Sequence, residues 1–165
     1  MSRFEELLAP SHWRTVDFIS DLHLHQGDAA TVATWQRYLH STPADAVFML
    51  GDMFEVWVGD DALAEPGSFE AQCAAVLQSA AQQRALFFMV GNRDFLIGSA
   101  FARRSSTRLV ADPTVLQWAG QRWLLSHGDA LCLEDVDYQR FRAVARSAAW
   151  QQQFLAQGIS VQHIL

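Results

Sequence analysis

The sequence predicts a layered α/β domain, and three observations carry that prediction. Near-continuous apolar runs such as DAVFML (45–50) and ALFFMV (85–90) read as strands buried on both faces. They alternate with segments of helical character, the pattern of a layered fold. The chain has 165 residues, half of them hydrophobic, and one domain of that length buries about 70% of the surface its unfolded chain exposes.

Taken in order, the first strand is expected at 16–20, with Val16, Phe18 and Ile19 buried. ATVATWQRYLHS (30–41) is expected as a helix and 45–50 as a strand. A loop over 51–66 leads to a helix over 67–84 and a strand over 85–90. A short helix follows around 95–104. TVLQWAGQRWLLS (114–126) reads as a hairpin turning at Gly120, and a helix is expected over 135–148. Repeats, linkers and low-complexity tracts are absent from the sequence.

Charge and composition exclude several function classes. The net charge of −6 argues against nucleic-acid partners held by bulk charge. It leaves room for an anionic substrate where a metal reverses the local sign. All 12 basic residues are arginine, which removes a P-loop lysine and a Schiff-base lysine from consideration. Cys73 and Cys132 are isolated thiols, which suits a reducing compartment and excludes a cysteine zinc site. The amino-terminal stretch lacks the apolar core of a signal peptide, and no apolar run approaches a membrane span of about 20 residues. A cytoplasmic location is the expectation.

The chemistry concentrates where strands end. TVDFISDLHLHQGD (15–28) closes a strand with Asp21 and His23. Side chains two apart in an extended chain point to one side, so these two could grip one object. VFMLGD delivers Asp52, FFMVGNRD delivers Asn92, Arg93 and Asp94, and WLLSHGD delivers His127 and Asp129. Each piece alone has an ordinary structural explanation in turns and caps. Their recurrence at four strand ends has none, because ligands of open α/β sheets lie beyond the carboxyl ends of strands. Glycine before Asp52 and Asn92 lets the backbone approach a ligand closely. The donors suit two divalent metals about 3.5–4 Å apart with a carboxylate between them, and imidazole with carboxylate suits manganese, iron or zinc.

In this order, D-L-H, G-D, G-N-R-D and H-G-D resemble the motifs of calcineurin-like metallophosphoesterases. FISDLHL, LGDMFEVWVGDD, GNRDFLIG and HGDALCLEDVDYQRFR narrow the resemblance to the UDP-2,3-diacylglucosamine hydrolase family of lipid A biosynthesis. It runs from about residue 15 to about 157 and takes in Trp57, Phe95 and Tyr138. The resemblance implies a sandwich of layered β-sheets flanked by helices. It implies two divalent metal ions, Mn2+ foremost, with Asp21 and His23 on the first, Asp52 bridging, and Asn92 and His127 on the second. These five residues and Arg93 would be catalytic, and Asn92, Arg93 and Asp135 would contact substrate. The substrate would be a lipid-linked nucleotide sugar, cut at its α-phosphate to UMP and 2,3-diacylglucosamine 1-phosphate. Location would be cytoplasmic and peripheral at the inner membrane, with no nucleic-acid partner. Acyl-chain preference and oligomeric state stay open.

Arg93 carries its own argument. Many relatives place histidine there, able to protonate a leaving alkoxide. Arginine stays charged, but its planar fork clamps phosphate oxygens. A phosphoanhydride expels a phosphate that needs little protonation, so Arg93 suits pyrophosphate cleavage; its structural alternative is a salt bridge to Asp94. Asp135 could equally cap the 135–148 helix. Asp60 and Asp61 read as supporting or turn residues. Arg140, Arg142 and Arg146 read as a solvated helix face or a basic edge for anionic lipid. His12, His25 and His40 have no motif context.

The sequence departs from the family at its end. The family continues to a glycine–histidine–x–histidine motif that this sequence lacks, and beyond His127 the one histidine is His163. The expectation is a domain over 1–157, an atypical tail over 158–165, and a fold lacking the family's last third. Each metal would lose one imidazole. Besides the lipid A hydrolase, an inactive fragment or binding module remains open, as does a phosphoesterase for another nucleotide or sugar phosphate.

Overall fold

The computed structural model describes residues 4–157, and among them the strands form two sheets. In one, β2 (Val16–Ile19), β3 (Ala46–Leu50), β4 (Ala85–Met89) and β5 (Arg108–Val110) run parallel in that order. In the other, β1 (Glu5–Leu8) pairs parallel with β6 (Thr114–Trp118), which pairs antiparallel with β7 (Gln121–Leu125). Helices α1 (Ala29–Ser41), α2 (Phe69–Ala80) and α3 (Ser99–Ser105) back the parallel sheet, and α4 (Val136–Ala145) and α5 (Ala148–Leu155) follow β7.

The central strands are apolar throughout because both their faces are covered. Ala46, Phe48, Phe87 and Met89 meet Leu7, Leu116 and Leu125 of the second sheet in one core. Val47, Met49, Leu86 and Phe88 point the other way, into a second core with Trp35, Leu39, Leu77 and Phe101. Parallel register sets Phe18 beside Phe48 and Phe48 beside Phe87. Their rings stack at 5.6 and 4.4 Å between centroids, each pair adding about 0.5–1.5 kcal/mol beyond burial. Helix starts are marked by side chains that accept orphan backbone N–H groups: Asp28 from Thr31, Ser68 from Ala71, Asp135 from Tyr138 and Ser147 from Trp150.

Several expectations change. The strand expected at 16–20 ends at Ile19 and is half-buried, with Phe18 40% exposed, because among the described residues β2 is an edge strand with β3 as its one neighbour. The 67–84 helix shortens to α2, since Ser68 caps it rather than belonging to it. The 95–104 helix starts at Ser99 behind Gly98. The 135–148 helix is two helices, broken where Ser147 caps α5. Strands β1 and β5 escape a sequence reading because they are short. Leu7 is the one buried residue of the first, and the second has three residues. The expected tail 158–165 and His163 lie outside the described residues. No helix among the described residues is long and apolar enough to cross a membrane.

Candidate metal centre

The ends of β2, β3 and β4 and the turn after β7 converge at one point, so the fourth donor segment comes from the second sheet rather than the first. Asp21 and His23 do not meet through an extended chain. Asp21, His23 and Asp52 have φ of 55°, 49° and 51°, a left-handed conformation that disfavours most side chains and clusters at functional sites. Cross-bonds hold it: Asp21 N–H donates to the Gly51 carbonyl at 3.0 Å, His23 N–H to that of Asp52 at 3.1 Å, and Leu24 N–H to that of Met53 at 2.8 Å. The two loops are laced side by side, and their side chains turn into one space.

Ligand atoms of Asp21, His23 and Asp52 all lie within 4.8 Å of one another. His127 Nε2 stands 3.7 Å from Asp52 Oδ1 and 3.0 Å from Asn92 Oδ1, and His23 Nε2 stands 4.0 Å from Asp52 Oδ2. Asp52 is therefore between the two imidazoles, with one oxygen toward each. Ligands about 2.1 Å from a shared ion are separated by about 3.0 Å at a right angle and by about 4.2 Å when they face each other across it, so spacings of 3.0, 3.7 and 4.0 Å are ones a divalent metal can span.

Both imidazoles are oriented for that role. His127 Nδ1 bonds the Leu50 carbonyl at 2.9 Å, and a carbonyl accepts only, so this nitrogen carries the hydrogen and Nε2 is left as the lone pair. His23 Nδ1 meets Glu55 Oε2 at 2.8 Å. The five expected ligands Asp21, His23, Asp52, Asn92 and His127 are thus brought together, and their donor chemistry fits a two-metal centre.

The glycines permit this proximity. A Cβ on Gly91 would fall onto Asp52 Oδ1 and its backbone nitrogen, with Asp52 Cγ at 2.9 Å, and one on Gly51 would meet His127 Nδ1 at 2.5 Å. Asp94 ties the same loops from beneath. Fully buried, it accepts from Gly91 N–H at 2.7 Å, Met53 N–H at 2.9 Å and Phe54 N–H at 3.4 Å. Burial pushes its carboxyl up to about 6; the Gly91 bond pulls down and the Asp52 charge pushes up.

The alternative of an Arg93–Asp94 salt bridge is not what forms. Arg93 N–H donates to Asp52 Oδ1 at 2.8 Å, and its guanidinium reaches Glu55 Oε1 at 3.3 Å, half-exposed beside the centre. Asp60 braces α3 by accepting from Gly98 and Phe101 N–H and from the Trp57 indole. Asp135 caps α4.

The arginines of α4 correct the reading of a solvated face. Arg140 is exposed and pairs with Asp137, but Arg142 bonds Asp129 at 2.8 Å, and Arg146 reaches Asp129 at 3.5 Å and the Gly91 carbonyl at 2.8 Å. Asp129 also accepts from the Tyr138 hydroxyl. Burial alone would raise this carboxyl; the bonds from Arg142 and Tyr138 outweigh it and hold it below its ordinary value. This cluster seats α4 beside the loop that carries Asn92. His25 and His40 make local backbone bonds.

Beside Asn92 and Arg93 lies an open groove of about 780 Å³, walled by Val56, Trp57, Phe95, Phe141, Trp150 and Phe154. Trp150 stacks on Phe154 at 4.8 Å, and the Arg146 guanidinium lies over the Phe95 ring at 5.5 Å. Sequence reasoning missed Glu55. Its signal was a lone carboxylate in the apolar loop MFEVWV, three residues after Asp52.

Residues 14–163 match the family model described as calcineurin-like phosphoesterase. A protein from Chromobacterium violaceum named UDP-2,3-diacylglucosamine hydrolase is 43% identical over 157 residues, which are 91% of this chain and 63% of that protein. One of the same name from Xanthomonas campestris pv. campestris is 44% identical over 149 residues, 88% of this chain and 59% of that protein. The chain thus spans about three-fifths of the length of these relatives. A solved structure of a protein of unknown function from Aquifex aeolicus aligns over 79% of this chain and 71% of its own, at 16% identity and a TM-score of 0.45.

Proposed function

Because the chain belongs to the calcineurin-like phosphoesterase family, whose chemistry depends on divalent metals, we propose that it hydrolyses the pyrophosphate of UDP-2,3-diacylglucosamine at the α-phosphate. The products are UMP and 2,3-diacylglucosamine 1-phosphate, a step of lipid A biosynthesis. The single observation that carries this reading is the convergence of Asp21, His23, Asp52, Asn92 and His127 on one point.

Asp21 and His23 would hold one ion, Asn92 and His127 the other, and Asp52 both, with Mn2+ the expected metal. Such a pair supplies Lewis acidity at the phosphate and a water acidic enough to attack at neutral pH. The chain's own residues do the rest. Arg93, with its guanidinium free on one side, takes phosphate oxygens bidentately and offsets their charge. It stays protonated and gives no proton to the leaving group, which suits expulsion of a phosphate and not of an alkoxide. The aromatic groove next to Arg93 and Asn92 is apolar enough for acyl chains, and Asp135, which caps α4, would be a further substrate contact on the family resemblance. The names of the relatives support the same substrate. A diacylated substrate fits a chain that would meet the inner membrane peripherally from its cytoplasmic face.

The test is UMP release from UDP-2,3-diacylglucosamine with Mn2+, beside a panel of other nucleotide and sugar phosphates. Asp52→Ala should abolish release and bound metal together, since it serves both ions. Two metals retained by that variant, or turnover of the panel in preference to the acylated substrate, would overturn the reading.

A further inference from the structure

We propose that Glu55 is the positioning residue of the metal centre, holding His23 in the Nδ1–H tautomer with one carboxylate oxygen and tethering Arg93 with the other. The proposal rests on the reading of the centre as a metal site. Oε2 stands 2.8 Å from His23 Nδ1 and Oε1 stands 3.3 Å from the Arg93 guanidinium. One residue therefore joins a metal ligand to the group that faces the phosphate.

Backbone bonds fix this arrangement. Glu55 N–H donates to the Leu24 carbonyl at 3.1 Å, next to His23, and Trp57 N–H donates to the Arg93 carbonyl at 3.1 Å. The segment 53–57 is thus anchored on both sides, to the strand end that carries His23 and to the loop that carries Arg93. Exposure rules out stability as the purpose. The side chains of His23, Glu55 and Arg93 are 37%, 41% and 51% exposed, and ion pairs that open to water contribute little to folding.

Orientation is what the contact changes. A neutral imidazole carries one hydrogen, and its partner at one nitrogen decides which lone pair is free. A carboxylate at Nδ1 keeps the hydrogen there, so Nε2 is the lone pair, and it is Nε2 that faces Asp52 at 4.0 Å. His127 reaches the same state through the Leu50 carbonyl. Glu55 does for the exposed imidazole what the β3 backbone does for the buried one. Tethering Arg93 beside the centre also keeps its cation within reach of an arriving phosphate.

The metal-free protein is labelled with 15N-histidine and examined by NMR in mildly alkaline buffer, with the His23 signals identified by their loss in His23→Gln. The expected result is an Nδ1–H imidazole at His23 in the parent and loss of that preference in Glu55→Ala. Binding of Mn2+ alone, by equilibrium dialysis, should weaken about 10–100-fold in Glu55→Ala, and less in Glu55→Gln, whose amide oxygen still accepts from Nδ1. Melting temperatures should stay together. An Nε2–H imidazole in the parent, or parental Mn2+ affinity in Glu55→Ala, would overturn the proposal. If the parent binds no Mn2+, the metal-site reading fails while the tautomer result still decides the role of Glu55.

Discussion

Gly91→Ala should disable the proposed metal centre without touching a proposed ligand. Gly91 has no left-handed backbone to lose, so alanine costs nothing in conformation and everything in space. The new methyl would sit on Asp52 Oδ1 and backbone nitrogen and 2.9 Å from Asp52 Cγ. Ordinary carbon contacts need about 3.5–4.0 Å, so the carboxylate must retreat by about 1 Å. Ligands of a working metal site hold their distances to within about 0.2 Å, which makes that retreat a loss of the shared carboxylate. It also breaks the 2.8 Å bond that Asp52 accepts from Arg93 N–H. Overpacking of this kind costs about 1–3 kcal/mol, and each kcal/mol lowers Tm by about 2–4 °C in a domain of this size. The assay pairs calorimetric Mn2+ titration with thermal unfolding, and Gly120→Ala is the control. Gly120 has φ +74° and open space around it, so its variant should lose about 1–2 kcal/mol to backbone strain and keep parental Mn2+ affinity. If Gly91→Ala binds Mn2+ as the parent does and melts with it, the close approach of the two loops is wrong.

Asp94→Ala leaves the Gly91, Met53 and Phe54 N–H groups without their acceptor and should cost about 2–4 kcal/mol in urea unfolding; Asp94→Asn should not rescue it, because its amide nitrogen opposes backbone donors. Burial, with Glu70 adding to it, pushes the Cys73 thiol up to about 12, while Cys132 is exposed. A thiol reagent should therefore label Cys132 in the native chain and both cysteines in denaturant. Asp45 accepts from Arg14 and Thr15 N–H, which holds its carboxyl below the ordinary range. A depressed carboxyl stabilises fully above its unfolded value, about 3.9, and the benefit fades as pH falls through the lower folded value. The stability deficit of Asp45→Asn should accordingly be present near neutrality and shrink in acid, and a deficit independent of pH would refute the assignment.

Local chemistry was legible in the chain itself. An apolar strand that ends on hard donors, with glycine directly before Asp52 and Asn92, is a local pattern, so Asp21, His23, Asp52, Asn92 and His127 could be named as candidate donors, as could the cap at Asp135 and the turn at Gly120. Even there the reason differed, since Asp21 and His23 meet through left-handed turns and not through an extended chain. What the sequence could not carry were pairings between distant segments whose partners have no local pattern. Glu55 reaches His23 across 32 residues and Arg93 across 38. Arg142 and Arg146 looked solvated because their partner Asp129 lies on another element, behind the turn that follows β7. A side chain's type and spacing are properties of the chain, and they determined which donors were available. Which donor faces which, at what burial, depends on how two sheets and the helices beside them close over one another, and the tertiary structure alone decided that.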